Sequence, residues 1–325
     1  MINGQFPQQL ALDTCLNKTG VDALPEPYAG KVREVYKLNN ETIGIVVTDR
    51  ISAFDHIMKQ AIPFKGQILN LLAAYGFRQV ADIISNHIID IPHPNVTIAK
   101  KCTPIPIEVV VRGHLTGHAW RTYHSGERSL CGVSLPDGMC EHQPFDRPII
   151  TPATKAKTGH DEDISEDEIL TRGIVREKDW FFIRDKALRL FEKGQKVANR
   201  NDLILVDTKY EFGYDTNNTI TLIDEVHTTD SSRYFYAEGF EKRLEKNMPQ
   251  KQLSKEFLRE WLISKKFQGL EGQILPDLPD DFRMDVYKRY KELYEQLTGE
   301  GFTPTLLYKF DEQLEEIFND YISNT

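Results

Sequence analysis

The segment LILVDTKYEFGYDTNNTITLIDEVHTTDSSR, Leu203 to Arg233, decides how the rest of the chain is read. On an extended strand successive side chains alternate between faces. Asp207, Lys209 and Glu211 therefore line one face, while Val206, Thr208, Tyr210 and Phe212 line the other. The adjacent Asn217 and Asn218 suit a two-residue type I′ turn, which pairs Thr216 with Thr219 and, counting back, sets Glu211 opposite Asp224. Directly opposed side chains have Cβ atoms ~5 Å apart, and like charges at that distance destabilise a sheet unless something compensates. A hard divalent cation compensates: Mg²⁺ takes one or two protein carboxylates and fills its other positions with water and phosphate oxygens. Glu211 and Asp224 are accordingly the metal candidates. A solvated strand face with ordinary ion pairing through Lys209 is the competing reading of the same spacing.

Working outward, Asp230, Ser231, Ser232 and Arg233 follow directly and offer hydroxyls and a guanidinium, which suit a phosphate, although a surface turn has the same composition. Upstream, PIPIEVVVRGHLTGHAW (Pro104–Trp120) carries Glu108 and Arg112 at one strand parity within an apolar run. Burying an unpaired charge is costly, so Arg112 is expected to meet a protein carboxylate or an anionic ligand, with internal pairing to Glu108 as the alternative. His114 and His118 share a four-residue spacing but have no third ligand at motif spacing, which argues against zinc. TPATKAKTGHDEDIS (Thr151–Ser165) mixes hydroxyls, Lys155 and Lys157 ahead of an acidic run. It reads as a loop able to grip a carboxylate-bearing substrate, or as an exposed loop leading into the Ser165/Glu168 capping box.

Elsewhere, Lys31–Leu38 and Thr42–Thr48 read as a hairpin closed by Asn39 and Asn40, with Lys31, Arg33 and Lys37 on one face and Val32, Tyr36 and Leu38 on the other. QILNLLAAYGFRQVADII after Gly66 has helical spacing. A second helix is expected to bury Trp180, Phe181, Ile183, Leu188, Leu190 and Phe191, and the segment from Ser254 reads as amphipathic helices.

In 325 residues, 40% hydrophobic and 27% charged, the composition is that of a globular chain long enough for about two domains. A net charge of -9 argues against a general nucleic-acid binder, so attraction for an anionic ligand has to be local. The apolar runs are far shorter than the ~20 residues of a membrane span, and the N-terminus lacks a signal-peptide pattern, which makes cytoplasmic location the expectation. Four cysteines are too few for a disulfide framework and read as reduced thiols. No GxxxxGK[ST], Rossmann glycine fingerprint or nucleophile elbow occurs. The residues favour an ATP-using enzyme with its nucleotide under a basic hairpin and its phosphates at a carboxylate-bound metal.

Together, GKVREVY, VTDRISAFDHIM, PIPIEVVVRGHLTG, TPATKAKTGHDEDIS, VDTKYEFG and IDEVHTTDSSR resemble the SAICAR synthetase (phosphoribosylaminoimidazole-succinocarboxamide synthase) family in its longer single-function form, over about Gly30 to Leu297. The resemblance implies an α+β, two-lobed fold: a β-rich nucleotide-covering lobe over residues 1–105, a larger mixed lobe over 106–325, and ATP in the cleft between them. It implies ATP-dependent condensation of carboxyaminoimidazole ribotide (CAIR) with L-aspartate in purine biosynthesis, through an acyl phosphate, with ATP and Mg²⁺ and without a nucleic-acid or membrane partner. It implies a monomer or small homo-oligomer. By motif, Gly30, Lys31, Val32 and Arg33 would cover the ATP phosphates and Lys101 would lie near the adenine. Glu211 and Asp224 would hold Mg²⁺, and Arg112, Arg233 and Ser232 would grip the ribotide phosphate. Asp207 and Lys209 would contact ribose or imidazole substituents, Glu108 would organise the metal and carboxylate region, and Lys155 and Asp161 would lie near the incoming aspartate. The chain departs from the family where Gly117-His118 replaces the usual Gly-Ser, so that His118 would either replace the ribotide-holding contact with an imidazole donor or leave it to Arg112 and Arg233. It departs again at Thr229, where proline is common. Another ATP-dependent ligase or small-molecule kinase, and a non-catalytic nucleotide-binding module, are the alternative readings.

Overall fold

The computed structural model of the chain describes residues 8–155 and 162–322. In chain order the elements begin with α1 (Gln8–Asp13), β1 (Tyr28–Ala29), β2 (Arg33–Lys37), β3 (Thr42–Val47), β4 (Ser52–Ala53), β5 (His56–Ile57), α2 (Lys65–Gln79), β6 (Ile88–His93) and β7 (Val96–Lys100). There follow β8 (Thr103–His114), α3 (His118–His124), β9 (Ser129–Leu130), β10 (Val133–Ser134), β11 (Pro144–Thr154), α4 (Glu166–Thr171), α5 (Glu177–Asn199) and β12 (Leu203–Tyr214). The last are β13 (Ile220–Ile223), β14 (Ser232–Tyr236), α6 (Phe240–Glu245), β15 (Gln252–Leu253), α7 (Glu256–Ser264), α8 (Asp280–Thr298) and α9 (Phe310–Ile322). The fold is α+β, and it forms two compact units. One contains the described residues up to Tyr75, Ile88–Lys101 and those from Ser254 onward; the other contains Gly76–His87 and Cys102–Leu253.

The first unit is built on an antiparallel sheet in the order β1-β2-β3-β7-β6. The expected hairpin is β2–β3, in register from Arg33↔Val47 to Lys37↔Ile43, and Asn39 closes it by accepting the backbone N–H groups of Glu41 and Thr42 on Oδ1, each at 2.8 Å. Alternation holds: Lys37 is exposed while Tyr36 and Leu38 are buried. Their core continues through Val46, Val96 and Ile98 into Phe310, Leu314 and Phe318 of α9. Gly44 is required here because a Cβ would lie 2.4 Å from the Phe318 ring. The division differs from the expected 1–105 and 106–325: the break falls after Lys101, Gly76–His87 goes with the second unit, and the C-terminal segment goes with the first. The described residues from Ser254 onward group with the N-terminal sheet because α9 supplies the aromatic layer that this sheet lacks.

The second unit is a six-stranded antiparallel sheet ordered β11-β8-β12-β14-β15, with β13 also paired to β12. The long helix α5 packs across β12 and β8, with Phe191 against Gly113 and the Tyr214 hydroxyl donating to Asp179 at 2.7 Å. It buries Trp180, Ile183, Ala187, Leu190 and Phe191. Phe181 and Leu188, expected on that face, are 39% and 36% exposed, because the 3.6-residue period carries them round to the outer side. Ahead of it, Ser165 and Glu168 form the expected capping box on α4. Among the described residues no helix is long and apolar enough to cross a membrane.

Candidate active site

With α5 on one face of the second unit's sheet, the opposite face of its two central strands carries the charge. Along β12 run Asp207, Lys209 and Glu211; along β8, in register, stand Arg112, Val110 and Glu108. Asp207 therefore faces Arg112, and Glu211 faces Glu108.

The carboxylate pair arises differently from the sequence-based expectation. β12 and β13 meet in the register Glu211↔Ile223 and Tyr214↔Ile220, one residue off the expected Glu211/Asp224 pairing. The turn is not a two-residue type I′. Asp215 Oδ1 accepts the N–H groups of Asn217 and Thr219 at 2.9 and 2.8 Å, which lengthens the loop, and Asn218 alone takes a left-handed φ of 59°. Asp224 follows the end of β13 at φ 67° and still reaches the same region, with its Oδ2 4.0 Å from Lys209 Nζ.

Lys209 Nζ is thus the hub of the charged face. It donates to Glu108 Oε1 at 2.7 Å and to Glu211 Oε1 at 2.6 Å, while Lys155 Nζ donates to the other Glu211 oxygen. Burial opposes the charge on Lys209, but the carboxylates of Glu211, Asp224 and Glu108 outweigh it and hold the ammonium well above its ordinary range. Burial would likewise raise the Glu211 carboxyl; Lys209 and Lys155 outweigh it and hold that group ionised far below the usual carboxylate range. Among the described residues no three side chains of the metal-ligating kinds close on one point as a ready cation site. The donor chemistry nevertheless fits Mg²⁺: Glu211, Glu108 and Asp224 offer hard oxygens, one or two of which suffice when phosphates complete the shell.

The other end of the face is an arginine pair. Arg112 Nη1 and Arg233 Nη1 approach the same Asp207 Oδ2 at 3.5 and 2.6 Å, and Arg112 Nε donates to the Thr151 hydroxyl at 2.8 Å. Arg112 thus pairs with Asp207 across the strands; the alternative partner, Glu108, goes to Lys209 instead. All three charged groups are buried, and guanidinium groups are donors whose planar geometry suits an anion. Ser232 Oγ lies 2.7 Å from Thr208 Oγ1 on the adjoining strand. Gly117, at φ 59°, passes so close that a Cβ there would sit 2.6 and 2.7 Å from the Arg233 terminal nitrogens.

His118 opens α3 and bonds through Nε2 to Asp163 Oδ2 at 2.6 Å, so its imidazole engages a carboxylate of this chain. Sequence reasoning missed Asp163 as that partner, because the acidic run containing it reads equally well as a helix cap. Asp161 lies outside the described residues.

In the first unit Gly30 and Arg33 close a tight turn, Gly30 N–H donating to the Arg33 carbonyl at 2.8 Å, with Lys31 and Val32 at its tip. Lys31 forms an ion pair with Asp55, which also escaped the sequence reading. Lys101 is exposed, and its N–H donates to the Glu41 carbonyl at 2.6 Å, beside the Thr42 end of β3; the turn adjoins the Val47 end.

Clustered carboxylates beside paired arginines, on an α+β scaffold, have the donor and acceptor chemistry of a phosphate-handling enzyme. The sequence model of the SAICAR synthetase family matches residues 26–273. The phosphoribosylaminoimidazole-succinocarboxamide synthase of Bacteroides thetaiotaomicron is 48% identical over 297 residues, covering 91% of this chain and 94% of that relative. The SAICAR synthase of Saccharomyces cerevisiae, solved with SAICAR, superposes with a TM-score of 0.75 at 34% identity, covering 89% of this chain and 100% of the other. A type-2 SAICAR synthetase in complex with ADP, at 23% identity and a TM-score of 0.66, covers 86% of this chain and 100% of its own and shares the fold. The chain belongs to the SAICAR synthetase family.

Proposed function

We propose that this chain joins CAIR to L-aspartate at the expense of ATP, releasing the succinocarboxamide, ADP and phosphate in purine biosynthesis, and that it works in the cytoplasm. It is a carbon–nitrogen ligase, as its family membership requires. A carboxylate is a poor electrophile, so the imidazole carboxylate oxygen attacks the γ-phosphorus of ATP and ADP departs with the bond electrons. The aspartate amine then attacks the acyl carbon, phosphate leaves, and the amine loses a proton. Catalysis rests on positioning and charge neutralisation.

The observation that carries this reading is the charged face of the second unit, with its arginine pair at one end and its carboxylate hub at the other. Arg112 and Arg233 hold the ribotide phosphate, with Ser232 beside them. Asp207 fixes both guanidinium groups and, with Lys209, faces the ribose and imidazole substituents. Glu211 and Asp224, assisted by Glu108, would hold Mg²⁺, which would supply charge neutralisation for the phosphates. Lys155, anchored on Glu211, serves the incoming aspartate, a role the family motif also gives to Asp161, and the Gly30–Arg33 turn with Lys101 receives ATP. The His118–Asp163 bond supports leaving the ribotide phosphate to the two arginines. The test is ADP release: it is expected only with both CAIR and L-aspartate present. Full-rate release with CAIR alone would instead make the protein a kinase, and nucleotide binding without turnover a regulatory module.

A further inference from the structure

The turn assigned to the ATP phosphates is held by a residue outside it. Arg50, largely buried, donates through Nε to Thr48 Oγ1 at 3.0 Å and through Nη2 to the carbonyls of Gly30 at 3.2 Å and Arg33 at 3.4 Å. Its other terminal nitrogen lies 3.6 Å from Glu34 Oε1. Glu34 is 1% exposed, an uncommon place for a carboxylate, and its second oxygen accepts both the N–H and the hydroxyl of Thr19 at 2.9 and 2.6 Å. The Val32 carbonyl is taken by the N–H and hydroxyl of Thr48 at 3.0 and 2.9 Å. The carbonyls of Gly30, Val32 and Arg33 are thus all engaged by donors from residues 48–50.

A carbonyl oxygen facing a phosphate repels it, whereas a turn whose carbonyls are drawn to one side can offer N–H groups and cationic side chains on the other. A buried carboxylate is also costly unless it is paired and hydrogen-bonded, and a guanidinium aimed by such a carboxylate has little freedom. We infer that Arg50, aimed by Glu34, is a positioning residue that sets the Gly30–Arg33 turn in its nucleotide-receiving form. The inference rests on the assignment of that turn to ATP.

The test titrates Mg·ADP into the full chain by calorimetry and measures KM for all three substrates in the wild type and in Arg50→Lys, Thr48→Val and Lys31→Ala. Lysine keeps the charge opposite Glu34 but cannot span the two carbonyls and the Thr48 hydroxyl. Arg50→Lys is expected to weaken Mg·ADP about tenfold, with KM for ATP rising in parallel and KM for CAIR and L-aspartate and kcat within about twofold. Thr48→Val, which removes the hydroxyl that links Arg50 to Val32, should move the same quantities about threefold; it carries the test if the lysine variant does not fold. If Lys31→Ala weakens Mg·ADP while neither of the other variants does, the positioning role fails and the turn assignment stands. If Lys31→Ala leaves Mg·ADP affinity unchanged, the turn assignment itself fails. A parallel rise in all three KM values in Arg50→Lys would reduce Arg50 to a general structural part and overturn the inference.

Discussion

Lys209 holds two opposed glutamates together, and this arrangement fixes what happens when one is neutralised. In Glu211→Gln or Asp224→Asn one carboxylate of the cluster loses its charge, while Lys209 keeps its bond to Glu108. The fold should survive, with a lower Tm in Glu211→Gln, whose carboxylate is buried against two lysines, and a smaller change in Asp224→Asn. Turnover should fall about a hundredfold, with a higher Mg²⁺ requirement; both rates measured against Mg²⁺ concentration check this, and unchanged values in both variants would remove the metal assignment. Gly117 makes a sharper case. A methyl group at this position would push the Arg233 guanidinium off Asp207 and strain a backbone at φ 59°. Gly117→Ala should therefore raise KM for CAIR about tenfold while leaving Mg·ADP affinity intact. At this scale much was legible in the sequence, because strand parity alone sorts Asp207, Lys209 and Glu211 from their apolar neighbours. The exact partner of Glu211 was not legible: Asn217-Asn218 fits a tight turn as well as it fits the longer loop that Asp215 organises.

Elements were readable where the chain carries its own punctuation. Asn39 announces the β2–β3 turn, and Ser165 with Glu168 announces α4. The isolated pairs β4–β5 and β9–β10 have no periodicity long enough to detect, and α5 hides its inward stripe among apolar residues that face both ways. The amphipathic pattern of α9 gives the helix but not the surface it covers. That surface is the sheet bearing the β2–β3 hairpin, and Phe318, fully buried against Tyr36 with ring centroids 5.2 Å apart, is its anchor. Phe318→Ala should cost about 3–5 kcal/mol, read as a lowered denaturation midpoint in urea. A loss below about 1 kcal/mol would show that the helix contributes little to this core.

The molecule as a whole should be sensitive to acid. Burial lowers His93, His114 and His142 to about 4 and His227 to about 3, so all four stay neutral in the folded chain where the unfolded chain is protonated. Their contribution is complete above the ordinary histidine value of ~6.5 and is lost as pH falls toward 4. Asp49 acts in the opposite direction. Burial raises it to about 6, so the folded chain keeps that proton to higher pH, and its contribution is complete below the ordinary aspartate range and is lost as pH rises through 6. Four sites against one give a net loss of stability between pH 6.5 and 4, about 1.4 kcal/mol per pH unit for each unbalanced proton. Thermal melts across this range should show a falling Tm, and His227→Gln, which can still hydrogen-bond the Tyr210 hydroxyl, should flatten the slope by about one proton.

Because β2 and β3 are completed by a helix more than two hundred residues further along, the order of synthesis matters. As the polypeptide leaves the ribosome, the strands between residues 103 and 253 can assemble their own sheet, whereas the sheet made earliest keeps an oily flank open until α9 emerges. A product cut short before Phe310 would carry that exposed flank permanently, a mark by which chaperones and proteases could sort incomplete chains from finished ones.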